Sequence, residues 1–108
     1  MERGVNEKDW KLFRSRLPDW QETYMEKVIE EYRELLGGAE QASDKFWALD
    51  ARIKRDKQNP GVLLRDVKRS NMEIHLLQLL RYEVIRPEEL DGFSEELREK
   101  LSWIMGNE

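Results

Sequence analysis

Apolar residues recur at helical spacing from one end of this chain to the other, and no run alternates strictly between apolar and polar. A half-buried strand needs that alternation, whereas steps of three and four lay side chains along one face of a helix. The class that follows is all-α. The stops between periodic segments set the number of helices: Pro18, Gly37-Gly38, Asn59-Pro60-Gly61, Pro87 and Asp91-Gly92. In 108 residues they leave room for about five helices and one or two extra short turns, expected as a compact bundle in a single domain, residues 1–108.

Asn6 has the side chain of an N-cap, Glu7 and Asp9 suit the positive end of a helix dipole, and Trp10, Phe13 and Leu17 share one face. This predicts a first helix to about Arg16, broken at Pro18, which disfavours helical angles at the residue before it and opens a second helix. The second helix reaches Gly37 with Trp20, Tyr24, Val28, Tyr32 and Leu35 as its apolar stripe and Glu22, Glu26, Glu30 and Glu34 as an acidic ridge. Ser43 caps a third helix whose buried stripe is Phe46, Leu49 and Ile53, flanked by Trp47. Asn59-Pro60 ends it, with Gly61 free to take a positive φ.

After a helical turn in GVLLRDVKR, Ser70 and Glu73 stand at capping-box spacing before the most apolar helix, MEIHLLQLLRY. That helix is expected at the centre. Pro87 predicts a single turn, PEEL, and Ser94 caps a last helix carrying Leu97, Leu101 and Ile104. The core is expected to rest on Leu76, Leu79, Leu80, Trp20, Phe46 and Leu101.

Hydrophobic and charged residues each make up 39% of the chain, yet four Trp, three Tyr and three Phe are too many for a disordered one. With no cysteine there is no disulfide, thiolate nucleophile or thiolate metal site. The only histidine, His75, sits in the most apolar helix and reads as a core or boundary residue. No Gly-rich phosphate loop, HExxH or second histidine accompanies it, so neither an enzyme nor a cofactor is expected. The start, MERGVNEKDWKLF, lacks a signal-peptide core, and the most apolar stretch is broken by Glu73, His75, Gln78 and Arg81. The expectation is a soluble cytoplasmic protein with no membrane partner.

Charge is unevenly spread. Between Arg52 and Arg69, seven basic residues meet only Asp56 and Asp66, a net of +5 inside a chain of −4. Arg52, Arg55, Lys57, Arg65, Lys68 and Arg69 are therefore the candidate partner-binding residues. Two readings stay open. In one, these cations sit near a helix C-terminus and face the glutamate ridge of the preceding helix. In the other, segment 52–69 forms a surface for a protein partner, for a second copy of the chain or, as the alternative, for nucleic acid around the Ser70 helix start. A helix-turn-helix reader fits poorly, because the Ser70 helix lacks an exposed polar face and the chain is acidic overall.

The segments RSRLPDWQETYMEKVIEEY, SDKFWALDARIKRDKQNPGV, KRSNM and EVIRPEELDGFSEEL resemble a family of small helical proteins of Gram-positive gut bacteria, often encoded in mobile genetic elements. That family has no known activity, so the resemblance transfers no functional residue. Some relatives carry a "multidrug transporter" label, which conflicts with the lack of any segment here that could cross a bilayer. What the resemblance implies is an intracellular accessory factor acting in regulation or protein interaction. The function expected is thus a small non-catalytic helical module that binds a protein partner or itself, with a nucleic-acid-associated regulator as the alternative.

Overall fold

Asn6 caps the first helix as its position predicts. Its Oδ1 accepts from the backbone N–H groups of Lys8 and Asp9 at 2.8 and 3.2 Å, satisfying two of the donors that every helix start leaves open. In the computed structural model, which describes residues 6–107, this helix, α1, runs unbroken over Glu7–Leu36. Residues 1–5, part of the start read for a signal-peptide core, lie outside the described residues.

The expected break at Pro18 is absent. A proline inside a helix removes one backbone donor and crowds the preceding turn, costing about 3 kcal/mol. Burial on both sides outweighs that cost, because Trp10, Phe13 and Leu17 before Pro18 and Trp20 after it enter one core. Each such side chain contributes about 1.5–3 kcal/mol. What the sequence presents as two helices is therefore one, and among the described residues there are four α-helices rather than five.

The others are α2 (Ala42–Asp56), α3 (Met72–Arg81) and α4 (Glu95–Gly106). A 3₁₀ turn, Arg69–Asn71, runs directly into α3, and a separate one covers Pro87–Leu90. Among the described residues there is no strand. Ser94 caps α4, its Oγ accepting from the N–H of Leu97 at 3.2 Å. Ser43 and Ser70 do not act as caps: α2 starts from Gln41 and α3 from Asn71, neither with a side-chain cap bond.

The core joins the first half of α1 to α3, the Pro87–Leu90 turn and α4. Leu76, Leu79, Leu80 and Leu101 lie in it as expected, with Met72, Ile85, Leu90, Phe93 and Leu97. Trp10 stacks on Phe13 at 6.0 Å between centroids, Phe13 meets Trp20 edge-on at 6.4 Å, and Trp20 stacks on Phe93 at 6.4 Å. Two polar contacts fasten the carboxy-terminal half to α1. Buried Asp9 accepts from the backbone N–H and the hydroxyl of Ser94 at 2.8 and 2.6 Å. Arg16 donates to the carbonyls of Glu89 and Asp91 and lies over the Phe93 ring.

The molecule measures 62 × 25 × 21 Å, with a radius of gyration of 17.0 Å. A compact chain of this length would have about 13 Å. The elongation comes from the second half of α1 and from α2, which contribute no residue to the core cluster and form a two-helix arm beyond it. Gly61 lies where arm and core meet. It does not take the expected positive φ; instead the Tyr24 ring and Val84 press against the place where a Cβ would stand.

Candidate functional site

The arm begins with the polarity of its two helices. On α1 the residues turned toward α2 are Tyr24, Val28, Glu31, Tyr32 and Leu35, all half-buried except Val28, which is buried. On α2 the matching face carries Lys45, Arg52 and Asp56. Arg52 reaches Glu31 at 2.7 Å and Asp56 at 3.7 Å, and its guanidinium lies over the Tyr32 ring. Tyr32 donates its hydroxyl to Asp56 Oδ2 at 2.5 Å. Nearer the core, Asn59 donates to the Tyr24 hydroxyl oxygen and Gln21 to the carbonyl of Pro60, both at 3.0 Å. Burial, reinforced by the hydrogen bond to Asp56, pushes the Tyr32 phenol up to about 12.

The arm is thus joined by charge and hydrogen bonds around buried Val28, and the largest apolar side chains of α2 lie elsewhere. Phe46, read from sequence as core, is 61% exposed, and Trp47 beside it is 64% exposed. Their rings meet edge-on at 4.9 Å. Met25, Ile29, Leu36 and Ile53 are also open, and Leu49 is half-buried. Of the four tryptophans, only Trp10 and Trp20 pack in the core; Trp103, on α4, is exposed like Trp47.

These side chains coincide on one flank. At about 100° per residue, Met25, Ile29 and Leu36 share a stripe about a quarter-turn from the face of α1 that meets α2. Phe46 and Ile53 make a stripe offset by a similar angle on α2, while half-buried Leu49 lies nearer the face that meets α1. Because the two helices run antiparallel, equal offsets of the same sense put both stripes on the same side of the hairpin. The Glu22, Glu26, Glu30 and Glu34 ridge lies farther round α1 and faces water.

The six cations predicted from sequence do not gather into one surface. Arg52 is engaged inside the arm, with Glu31 rather than the expected ridge. Exposed Arg55 touches Asp56 at 3.5 Å. Arg69 forms a two-pronged pair with Glu7, at 2.6 and 3.2 Å, beneath the Trp10 ring. That bond holds the Glu7 carboxyl below and the Arg69 guanidinium above their usual ranges. Glu7 and Glu31 are 24 residues apart on α1, so these two arginine sites stand about 36 Å apart along it. Lys57, Arg65 and Lys68 are exposed.

His75 is buried, as expected. Burial lowers its pKa, against smaller opposing effects of the Arg65 carbonyl and Asp66, and its Nδ1 has no hydrogen-bond partner. A cleft of about 260 Å³ lies beside it, lined by Gln58, Leu63, Arg65, Gln78 and Tyr82 among others. Near the arm tip α1 and α2 leave an open crevice of about 740 Å³ between Glu34, Leu35, Lys45 and Ala48. Among the described residues no group of three His, Asp or Glu side chains is placed to hold a metal. Nor is any described helix long and apolar enough to cross a membrane.

The exposed flank is what the sequence reading missed. Its signal was the i, i+4 pair Arg52-Asp56 on the same helix as Phe46 and Ile53, since one helix cannot turn both faces to one neighbour. Protein-family models, curated proteins and solved structures all yield no match to the chain, so the geometry carries the functional reading.

Proposed function

We propose that this protein is a non-catalytic helical interaction module whose contact surface is the apolar flank of the α1–α2 arm. One observation carries the reading: the arm buries Val28 while leaving Ile29 and Leu36 open on α1 and Phe46 and Ile53 open on α2. Scattered exposed apolar residues are ordinary, but an aligned patch of them marks a contact site. The accessory role implied by the sequence resemblance points the same way.

The basic segment is a weaker contact surface, because Arg52 and Arg69 already have carboxylate partners in the same chain. A nucleic-acid role would rest on Lys57, Arg65 and Lys68 with help from Arg55, and would weaken steeply with salt.

Affinity recovery from cells that express the tagged chain separates the two surfaces. The double substitution Ile29→Glu with Phe46→Glu is expected to abolish partner recovery, and the triple substitution of Arg55, Arg65 and Arg69 by Glu to leave it intact. The opposite pattern would return the function to the basic segment.

A further inference from the structure

Resting on that reading, we infer that the occupant of the arm's flank is a second copy of this chain, packed flank to flank as a four-helix layer. Three features of the arm support this partner.

The first is its lack of an interior. Helices of about 15 residues are marginal alone in water, and α2 has 15 residues with only Asp56 buried. Two helices that meet through ion pairs need further apolar burial to hold their shape, and stacking two such pairs face to face supplies it.

The second is area. Full aromatic side chains present about 150–250 Å² and aliphatic ones somewhat less. The open fractions of Met25, Ile29, Leu36, Phe46 and Ile53, with Trp47 at the margin, leave on the order of 500 Å² of apolar surface. Adding the polar margins brings each copy near the ~800 Å² per partner of a standard interface.

The third is charge. On the α1 side the flank is edged by exposed Glu22 and Glu26, with Arg33 on the same edge paired to Glu30 at 3.0 Å, and on the α2 side by exposed Lys57, with Lys54 paired to Asp50 at 3.1 Å. The Tyr24–Asn59 hydrogen bond fixes the relative height of the two helices, which sets Glu26 about level with Lys57. A two-fold axis along the arm lays α1 of one copy over α2 of the other, with Glu26 of each copy opposite Lys57 of the other. An anionic bilayer would meet the same flank with its acidic margin opposed.

Light scattering behind a sizing column tests this on the whole chain. The expected result is a mass twice the 13.0 kDa of one chain, with a thermal midpoint that rises with protein concentration. Ile29→Glu with Phe46→Glu should return the mass to one chain and remove the concentration dependence, while the near-ultraviolet signal of the core tryptophans persists. If the glutamates unfold the arm, Ile29→Ser with Phe46→Ser should give the same shift in mass.

A wild-type monomer at about 100 μM overturns the inference, and so does a dimer that survives both pairs of substitutions. Flotation of a monomeric chain with phosphatidylglycerol vesicles would assign the flank to a bilayer instead. Partner recovery lost in the flank variant of a monomeric chain would sink the second copy and leave the interaction module standing.

Discussion

Gly61→Ala is the substitution whose sign the structure decides most sharply. Replacing glycine by alanine where the backbone angles are compatible stabilises a chain by about 0.4–1 kcal/mol, through the unfolded state. Gly61 is not among the positive-φ glycines, so that gain is available. Against it, a Cβ at Gly61 would stand 2.5 and 2.7 Å from Cδ2 and Cγ of Tyr24 and 2.9 Å from Cγ2 of Val84. These are ring and branched-chain atoms held in place, not the end of a flexible side chain, and overpacking of this kind costs about 1–3 kcal/mol. The steric term wins across these ranges, for a net loss of up to about 2.6 kcal/mol. Urea unfolding followed by tryptophan fluorescence reads it directly, since a slope of about 1–3 kcal/mol per molar makes the midpoint fall measurably. Tyr24→Ala in the same chain removes the ring, so the double variant should lose less than the sum of the two single changes. A midpoint that rises with Gly61→Ala, or strict additivity with Tyr24→Ala, would refute this account of how arm and core meet.

Two further outcomes follow from burial and charge. Leu76→Ala, at a fully buried position, should cost about 2–5 kcal/mol, whereas Phe46→Ala should cost far less at concentrations where the chain is monomeric; equal losses in thermal melts would mean that α2 packs the other way round. His75, whose pKa is lowered by burial, binds its proton less readily folded than unfolded, so its contribution falls as pH drops below about 6.5; a His75→Gln variant whose urea midpoint falls between pH 7.5 and 5.5 as far as that of the wild type would rule this out.

What the sequence makes legible is local, and what it hides is tertiary. The caps at Asn6 and Ser94 and the turn at Pro87 follow from side chains acting within four residues of themselves, and all three form. The central position of α3 was readable too, because Met72, Leu76, Leu77, Leu79 and Leu80 leave it few polar faces. Pro18 misled because its cost is local, while the burial that overrides it comes from α3 and Phe93, far along the chain. Ser70 and Glu73 have capping-box spacing, but Asn71 is drawn into the loop before α3, donating to the carbonyl of Asp66 at 2.9 Å.

The arm hides most, because an apolar stripe on α2 implies burial without saying against what. Arg52 and Asp56 decide which face meets α1. A buried ion pair adds little net stability, since desolvation offsets most of the attraction, but breaking one by removing a single partner is expensive. Its effect is therefore on orientation: any roll of α2 that turned Phe46 and Ile53 toward α1 would strand Asp56 and the Tyr32 hydroxyl, and would separate Arg52 from Glu31. The network holds α2 in the one rotation that aligns its apolar stripe with that of α1. The apolar residues and the charged segment, which look in the sequence like rival explanations of α2, are on this account two halves of one device, the charges presenting a surface that the apolar side chains supply.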